Sequence, residues 1–302
     1  MSTRVALAHI VHQSKTFAFN GGLTINDSPQ QFAVAGQFGG VADYRQNDSR
    51  HTISGTLDGR LVDVLGILFA YASASRGSNL FNDNSLVVYC SDLDVYTYRN
   101  AALTSIGSIN LTSKGIATVD VTFTCLHGSS YEVGDANGMF TATTAGSYTL
   151  PTIDPADMLS EPYTASWGAS SPWDSFELLE GATLNFTLDT FDVPDQRKGT
   201  QNMKLRDMSA SVTFKPNASG ITKAAIQAKM KTHGTSALIG GSTRSADDFV
   251  LTGSSLIWTL KRPAISQHSL RLTHDALAEQ GITLVSTLAS AGGVMFSVAE
   301  PV

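Results

Sequence analysis

The chain has 302 residues, enough for two domains of ordinary size, and its 42% hydrophobic content excludes a wholly disordered protein, which buries too little apolar surface to offset chain entropy. A formal net charge of −6 leaves no basic footprint for phosphate backbones, and no apolar run approaches the ~20 residues that span a bilayer. Only 15% of residues are charged, against roughly 25% in typical soluble domains, which suits a subunit whose surface is covered by neighbours.

The N-terminal run 4–11 is short, is interrupted by His9 and has no small-residue cleavage site, so a cytoplasmic product is expected. A first strand opens at Gly21, Gly22, Leu23, Thr24, Ile25 and Asn26. A polar, turn-rich segment follows at 36–49 and leads to a return strand at 50–57. Asp58 is placed to cap a helix that carries Leu61, Leu65, Leu68, Phe69 and Ala72 on one face and ends at Gly77. Strands are predicted at 85–90, 93–101 and 119–125, the last two alternating apolar with polar residues.

Residues 129–172 are rich in Gly, Ser, Thr and Pro and carry Tyr131, Phe140, Tyr148, Tyr163 and Trp167. Such aromatics do not belong in a free linker, so this connector is expected to pack along a domain surface. Beyond it the first order of elements returns. A strand at 180–188 leads through a polar hairpin at 189–202 to a strand in which Ala210, Val212 and Phe214 alternate with polar residues. Ser219 is placed to cap a helix with Ile221, Ala224, Ala225 and Ala228 on its apolar face and Gly234 beyond, and strands follow at 248–252, 256–264 and 281–287. The two caps, Asp58 and Ser219, stand 161 positions apart, and the later strands match at a shift near 163. The shared order predicts a mainly β protein of two tandem domains, 1–128 and 173–302, each with one flanking helix.

Catalytic motifs are missing. There is no G-x-S-x-G, G-x-G-x-x-G or G-x-x-x-x-G-K-[ST] pattern, and the His9, His12 spacing lacks the further ligands of a zinc site. Cys90 and Cys125 lie in apolar runs and read as buried free thiols, and Asp92 and Asp94 read as the polar face of a strand. No enzyme, metal or cofactor is expected. The hairpins carry the charge: Asp43, Arg45, Asp48 and Arg50 in the first half, Arg197, Lys198, Lys204 and Arg206 in the second. They read either as solvated hairpins or as arms presenting charge to a neighbouring subunit.

Residues 179–189, 199–206 and 212–216, with 255–265 and the run Gly281, Ile282, Thr283 and Leu284, resemble the tail tube proteins of long-tailed bacteriophages. The first half follows more loosely through 98–104. The resemblance implies β-sandwich or barrel domains, six to a ring, whose strands join into one inner β-barrel, with rings stacked into a tube that conducts DNA without binding it specifically. Two copies per chain then imply three chains per ring, with pseudo-six-fold symmetry. The implied partners are further copies of the chain and the tape measure, terminator and tail-tip proteins, in a virion tail made in the host cytoplasm, with no membrane. Asp94, Asp120 and Asp189 are the lumen-facing candidates, and Asp43, Arg45, Asp48, Arg50, Asp192, Arg197, Lys198 and Lys204 the inter-ring hairpin candidates. Two other readings are a tail terminator or adaptor ring, and a carbohydrate-binding β-sandwich that stacks sugars on Trp167, Trp173 and Trp258.

Overall fold

A computed structural model describes residues 9–35, 41–58, 76–90, 94–112, 118–126, 140–144, 161–195, 199–217, 221–233, 247–254, 256–271, 279–287 and 295–299. The described chain is mainly β. In the first half the strands are β1 (His9–His12), β2 (Lys15–Ala35), β3 (Val41–Asp58), β4 (Leu86–Tyr89), β5 (Asp94–Tyr98), β6 (Ala101–Ile106), β7 (Ile109–Leu111), β8 (Thr118–Cys125) and β9 (Phe140–Thr144). The second half has β10 (Thr164–Trp167), β11 (Phe176–Asp195), β12 (Gly199–Pro216), β13 (Phe249–Thr252), β14 (Ile257–Leu260), β15 (Ala264–Arg271), β16 (Glu279–Thr287) and β17 (Phe296–Ala299), and among its described residues one helix, α1 (Lys223–His233).

All pairings are antiparallel, and the two halves use one strand order. The first runs β6-β8-β3-β2-β1-β4-β5-β9 and the second β15-β16-β12-β11-β10-β13-β14-β17. The agreement extends to single residues. Leu23 pairs with Gly55 and Ile25 with Ile53, while Ala182 pairs with Phe214 and Leu184 with Val212, a shift of 159 on both strands. The three register irregularities of the first hairpin, at Asn20/Leu23, Gln30/Gln31 and Val34/Ala35, recur at Leu178/Ala182, Asp189/Thr190 and Val193/Pro194.

The first of these irregularities is where the strand changes layer. Gly21, Gly22 and Gly181 hold φ of 79°, 97° and 83°, a region that β-branched and bulky residues avoid, and the bulge they form bends the strand. Residues 15–18 of β2 pair with β1, and from Phe19 onward, through the bend, β2 pairs with β3. The chain thereby folds one sheet over the other. Phe17 of β2 and His12 of β1 meet Phe123 of β8 at ring-centroid distances of 6.2 and 5.4 Å. In the second half Phe214 stacks on Phe249 at 4.8 Å, and Phe186 and Trp258 enclose Phe296 at 5.0 and 5.8 Å.

Several sequence expectations change. The polar segments at 36–49 and 189–202 are largely strand: β2 reaches Ala35, β3 starts at Val41, β11 reaches Asp195 and β12 starts at Gly199. The segment read as a connector contributes β9, paired with β5, and β10, paired with β11 and β13. The second helix begins later than predicted, because Thr222 Oγ1 accepts the Ala225 amide at 3.2 Å and so caps it. Its buried residue is Ile226, with Ile221 buried just ahead of it, and Ala224 and Ala228 lie exposed. The helix predicted after Asp58 lies outside the described residues.

Candidate assembly surfaces

The halves are joined by β7. After β6, Gly107 still donates to the Asp120 carbonyl at 2.6 Å, and the chain then crosses to the second half. There Ile109, Asn110 and Leu111 pair with Leu184, Thr183 and Ala182 of β11. Ser108 Oγ donates to Asn185 Oδ1 at 2.5 Å and Thr183 Oγ1 to Asn110 Oδ1 at 3.0 Å, so side chains continue the ladder across the seam. Ile109 and Leu111, at 0% and 2% exposure, provide the apolar side of the contact. Gly181 is required here because a Cβ on it would lie 1.8 Å from the Leu111 carbonyl oxygen.

A second seam lies along the arm of the β11–β12 hairpin. Residues 76–81 run beside β12: the Gly77 amide donates to Leu205 O at 2.7 Å, the Leu205 amide to Ser78 O at 3.0 Å and the Leu80 amide to Met203 O at 2.9 Å. Asn202 Nδ2 donates to Phe81 O at 2.8 Å, and the Arg76 guanidinium meets Asp207 at 3.0 Å. This strand-like strap satisfies backbone groups on the arm where β16 no longer reaches. Neither the strap nor β7 is legible in sequence as a joining element. The only signals are the isolated alternation of Ile109 and Leu111 after Gly107 and the apolar pair Leu80, Phe81 in a polar stretch.

The charged hairpin candidates divide. Arg50 of β3 reaches Asp192 of β11 at 2.6 Å and Thr200 at 2.9 Å, so complementary charge joins the two hairpins of one chain. This ion pair is partly exposed, a setting in which such pairs contribute about 0–1 kcal/mol. Lys204 lies on β12 opposite Phe191, bridged to Asn79 of the strap. Asp43, Arg45 and Asp48 are on the β3 arm opposite Val34, Phe32 and Gln30. Arg197 and Lys198 lie outside the described residues.

The outward face of the long hairpins is a carpet of neutral polar groups. In the first half Thr24, Asn26, Thr52, Ser54, Thr56 and Thr122 alternate with the core positions Ile53, Leu57, Val121 and Phe123. In the second half Thr183, Asn185, Thr187, Ser209, Ser211, Thr213 and Thr283 alternate with Leu184, Phe186, Ala210, Val212, Phe214 and Leu284. Hydroxyls link the strands, as in Thr213 Oγ1 to Thr283 Oγ1 at 3.0 Å. Lys215, on the same face, is held by Glu180 at 2.7 Å.

The three acids predicted together are not together. Asp120 belongs to this face and accepts from Thr56 Oγ1 at 2.5 Å; Asp189 sits further out on the arm, 3.5 Å from Arg206. Asp94 opens β5, in the other layer, next to β4 and β9. Period-2 alternation assigns a face within a strand but not the layer to which the strand belongs.

Trp167, Trp173 and Trp258 are 1%, 5% and 1% exposed, which removes all three as sugar-stacking platforms. Trp173 packs edge-on against Trp167 at 5.4 Å, and Lys229 of α1 caps the pair, donating to Trp167 O at 2.6 Å and to Asp247 at 3.1 Å. His9 and His12 are core residues of β1. Burial holds both imidazoles below their usual range, His9 at about 4 and His12 despite the opposing hydrogen bond to Ser85 O. Among the described residues no group of three His, Cys, Asp or Glu side chains is placed to hold a metal ion, and no helix is long and apolar enough to cross a membrane.

No protein-family model matches the chain, and no curated protein matches it.

Proposed function

We propose that the chain is a structural subunit of a phage-type tail tube, built from a duplicated domain and assembled as rings of three chains with pseudo-six-fold symmetry. The observation that carries this reading is the β7 seam. It makes the long hairpin of one half continuous with that of the other, through two units that repeat strand order and register irregularities at a shift of 159. A wall that continues from unit to unit in one direction closes into a barrel or extends as a filament.

The carpet of Thr, Ser and Asn supports a conduit. DNA is retained by cations that neutralise phosphates, and a face of hydroxyls and amides with its lysine already ion-paired offers little of that. The net charge of −6 works in the same direction. On this reading the lumen is lined by neutral hydroxyls, with Asp120 as its carboxylate. The protein's work is assembly with its own copies and with the tape measure, terminator and tail-tip proteins, not catalysis.

The test is negative-stain electron microscopy of the chain expressed alone, with its mass in solution measured beside it. Hollow rings with a mass of three 32.0 kDa chains are expected, stacking into tubes at high concentration. A terminator or adaptor ring gives rings that do not stack. A persistent monomer at high concentration refutes the tube reading for the isolated chain.

A further inference from the structure

The two halves differ at one buried position. His12 pairs with Leu86, the first residue of β4, and Trp167 pairs with Phe249, the first residue of β13, so the repeat sets an imidazole and an indole at the same place in the fold. Both are sealed, at 0% and 1% exposure. The start of the strand shows a similar contrast: His9 is buried against Tyr89, while its counterpart Thr164 is exposed. With His51 as the third, every buried histidine among the described residues belongs to the first half.

The site of His12 suits a neutral ring. Its Nδ1 donates to Ser85 O at 3.0 Å, and among the described residues Nε2 has no partner. The ring meets Phe123 edge-on at 5.4 Å, so a second proton would put a charge and an N–H donor against hydrocarbon. The strands around it offer no counter-charge. β2 brings Lys15, the register partner and another cation; β4 brings Tyr89, stacked on His9; β3 and β5 bring His51 and Tyr98, packed on each other; β8 brings the Cys125 thiol. The carboxylates of these strands lie elsewhere. Asp120 accepts from Thr56 on the outward face, Asp94 opens β5, Asp58 closes β3, and Asp27, Asp43 and Asp48 lie along the β2–β3 hairpin. In the second half the indole takes up no proton, and the cation above it is already held: Lys229 lies 5.0 Å from the Trp167 ring centroid and donates to Trp167 O and Asp247.

We infer that His12, with His9 beside it on β1, is an acid-operated latch for the first half alone: its protonation lifts the β1 layer from β8 and leaves the second half folded. Burial holds both imidazoles below their ordinary range, so the folded half resists the proton that the opened half accepts, and the latch is closed above pH 6.5 and released as pH falls toward 4. A latch of this kind works in the single chain, whether or not chains form rings.

The chain carries a reporter for each half. All three tryptophans lie in the core of the second half, and Cys125 lies in the first, on β8 two residues from Phe123 and so on the same inward face. In a Cys90→Ser background Cys125 is the one remaining thiol. Its labelling by a dipyridyl disulfide, which reacts in acid, is followed from pH 7 to pH 4.5 relative to the urea-unfolded chain at each pH, with tryptophan emission recorded alongside. Carboxylates, which ordinarily titrate at about 4, stay mostly charged over that range. Labelling of Cys125 is expected to accelerate at least about tenfold, while tryptophan emission keeps its native maximum. His12→Phe should cut that acceleration at least about threefold, and so should His12→Gln, which keeps a donor for Ser85 O and does not titrate. Unchanged labelling of Cys125 at pH 4.5, a red shift of tryptophan emission over the same range, or full acceleration in the variants overturns the latch.

Discussion

Acid should weaken the first sheet through His9. The ring lies in β1, is 2% exposed and stacks parallel to Tyr89 at a centroid distance of 5.0 Å. Burial lowers its pKa from 6.5 to about 4, so the folded chain binds fewer protons than the unfolded chain throughout that window. The stability contributed is fully present above pH 6.5 and is lost progressively as pH falls toward 4. Linkage puts the loss at about 2 kcal/mol at pH 5 and about 3 kcal/mol below pH 4. The measurement is urea unfolding of the parent and of His9→Phe at pH 7 and pH 5. Between the two pH values the parent should lose about 2 kcal/mol more than the variant. Equal losses in both proteins would refute the burial argument. His12, shifted in the same direction, should add to the loss in both.

Gly181→Ala combines a φ of 83° with the collision at Leu111, and should cost at least about 2 kcal/mol in thermal or urea unfolding, more than Gly22→Ala in the isolated chain. Trp167→Ala should cost about 3–5 kcal/mol, since it empties a buried site between Trp173 and Lys229; a loss below 1 kcal/mol in the same assay would contradict the packing described. In the folded protein a thiol reagent should label Cys90 and spare Cys125, whose thiol is buried and held above the usual range, with mass spectrometry reading the site; both should react in urea.

Much of the sheet order was legible because core strands alternate. Ala210, Val212 and Phe214, or Val119, Val121 and Phe123, declare one buried face, and strands β4, β8, β13, β14 and β16 fall where that pattern puts them. The arms beyond were hidden for a physical reason. Residues such as Asn202, Lys204 and Asp207 are held in strand by hydrogen bonds to the strap and to the opposing arm, and pairing of that kind leaves no hydrophobic period to read. Thr222 caps the helix, and Ser219, the cap expected from sequence, lies outside the described residues; both are competent capping residues, so composition alone does not choose between them. Of the hairpin charges, Arg50 and Asp192 satisfy each other within the chain, a pairing between residues 142 positions apart that sequence patterns do not show.

The bent strands also determine how the fold bears load. β2 and β11 each pass through both layers as uninterrupted backbone, and each is paired along its long hairpin at fifteen positions, against three between β7 and β11. Antiparallel rungs lie perpendicular to the strand, so tension along a hairpin shears many of them at once, whereas tension across the sheet opens them singly. The molecule is therefore stiff along its hairpins and more compliant between its halves, where the load is shared by the short β7 seam, the strap on β12 and the Arg50–Asp192 ion pair.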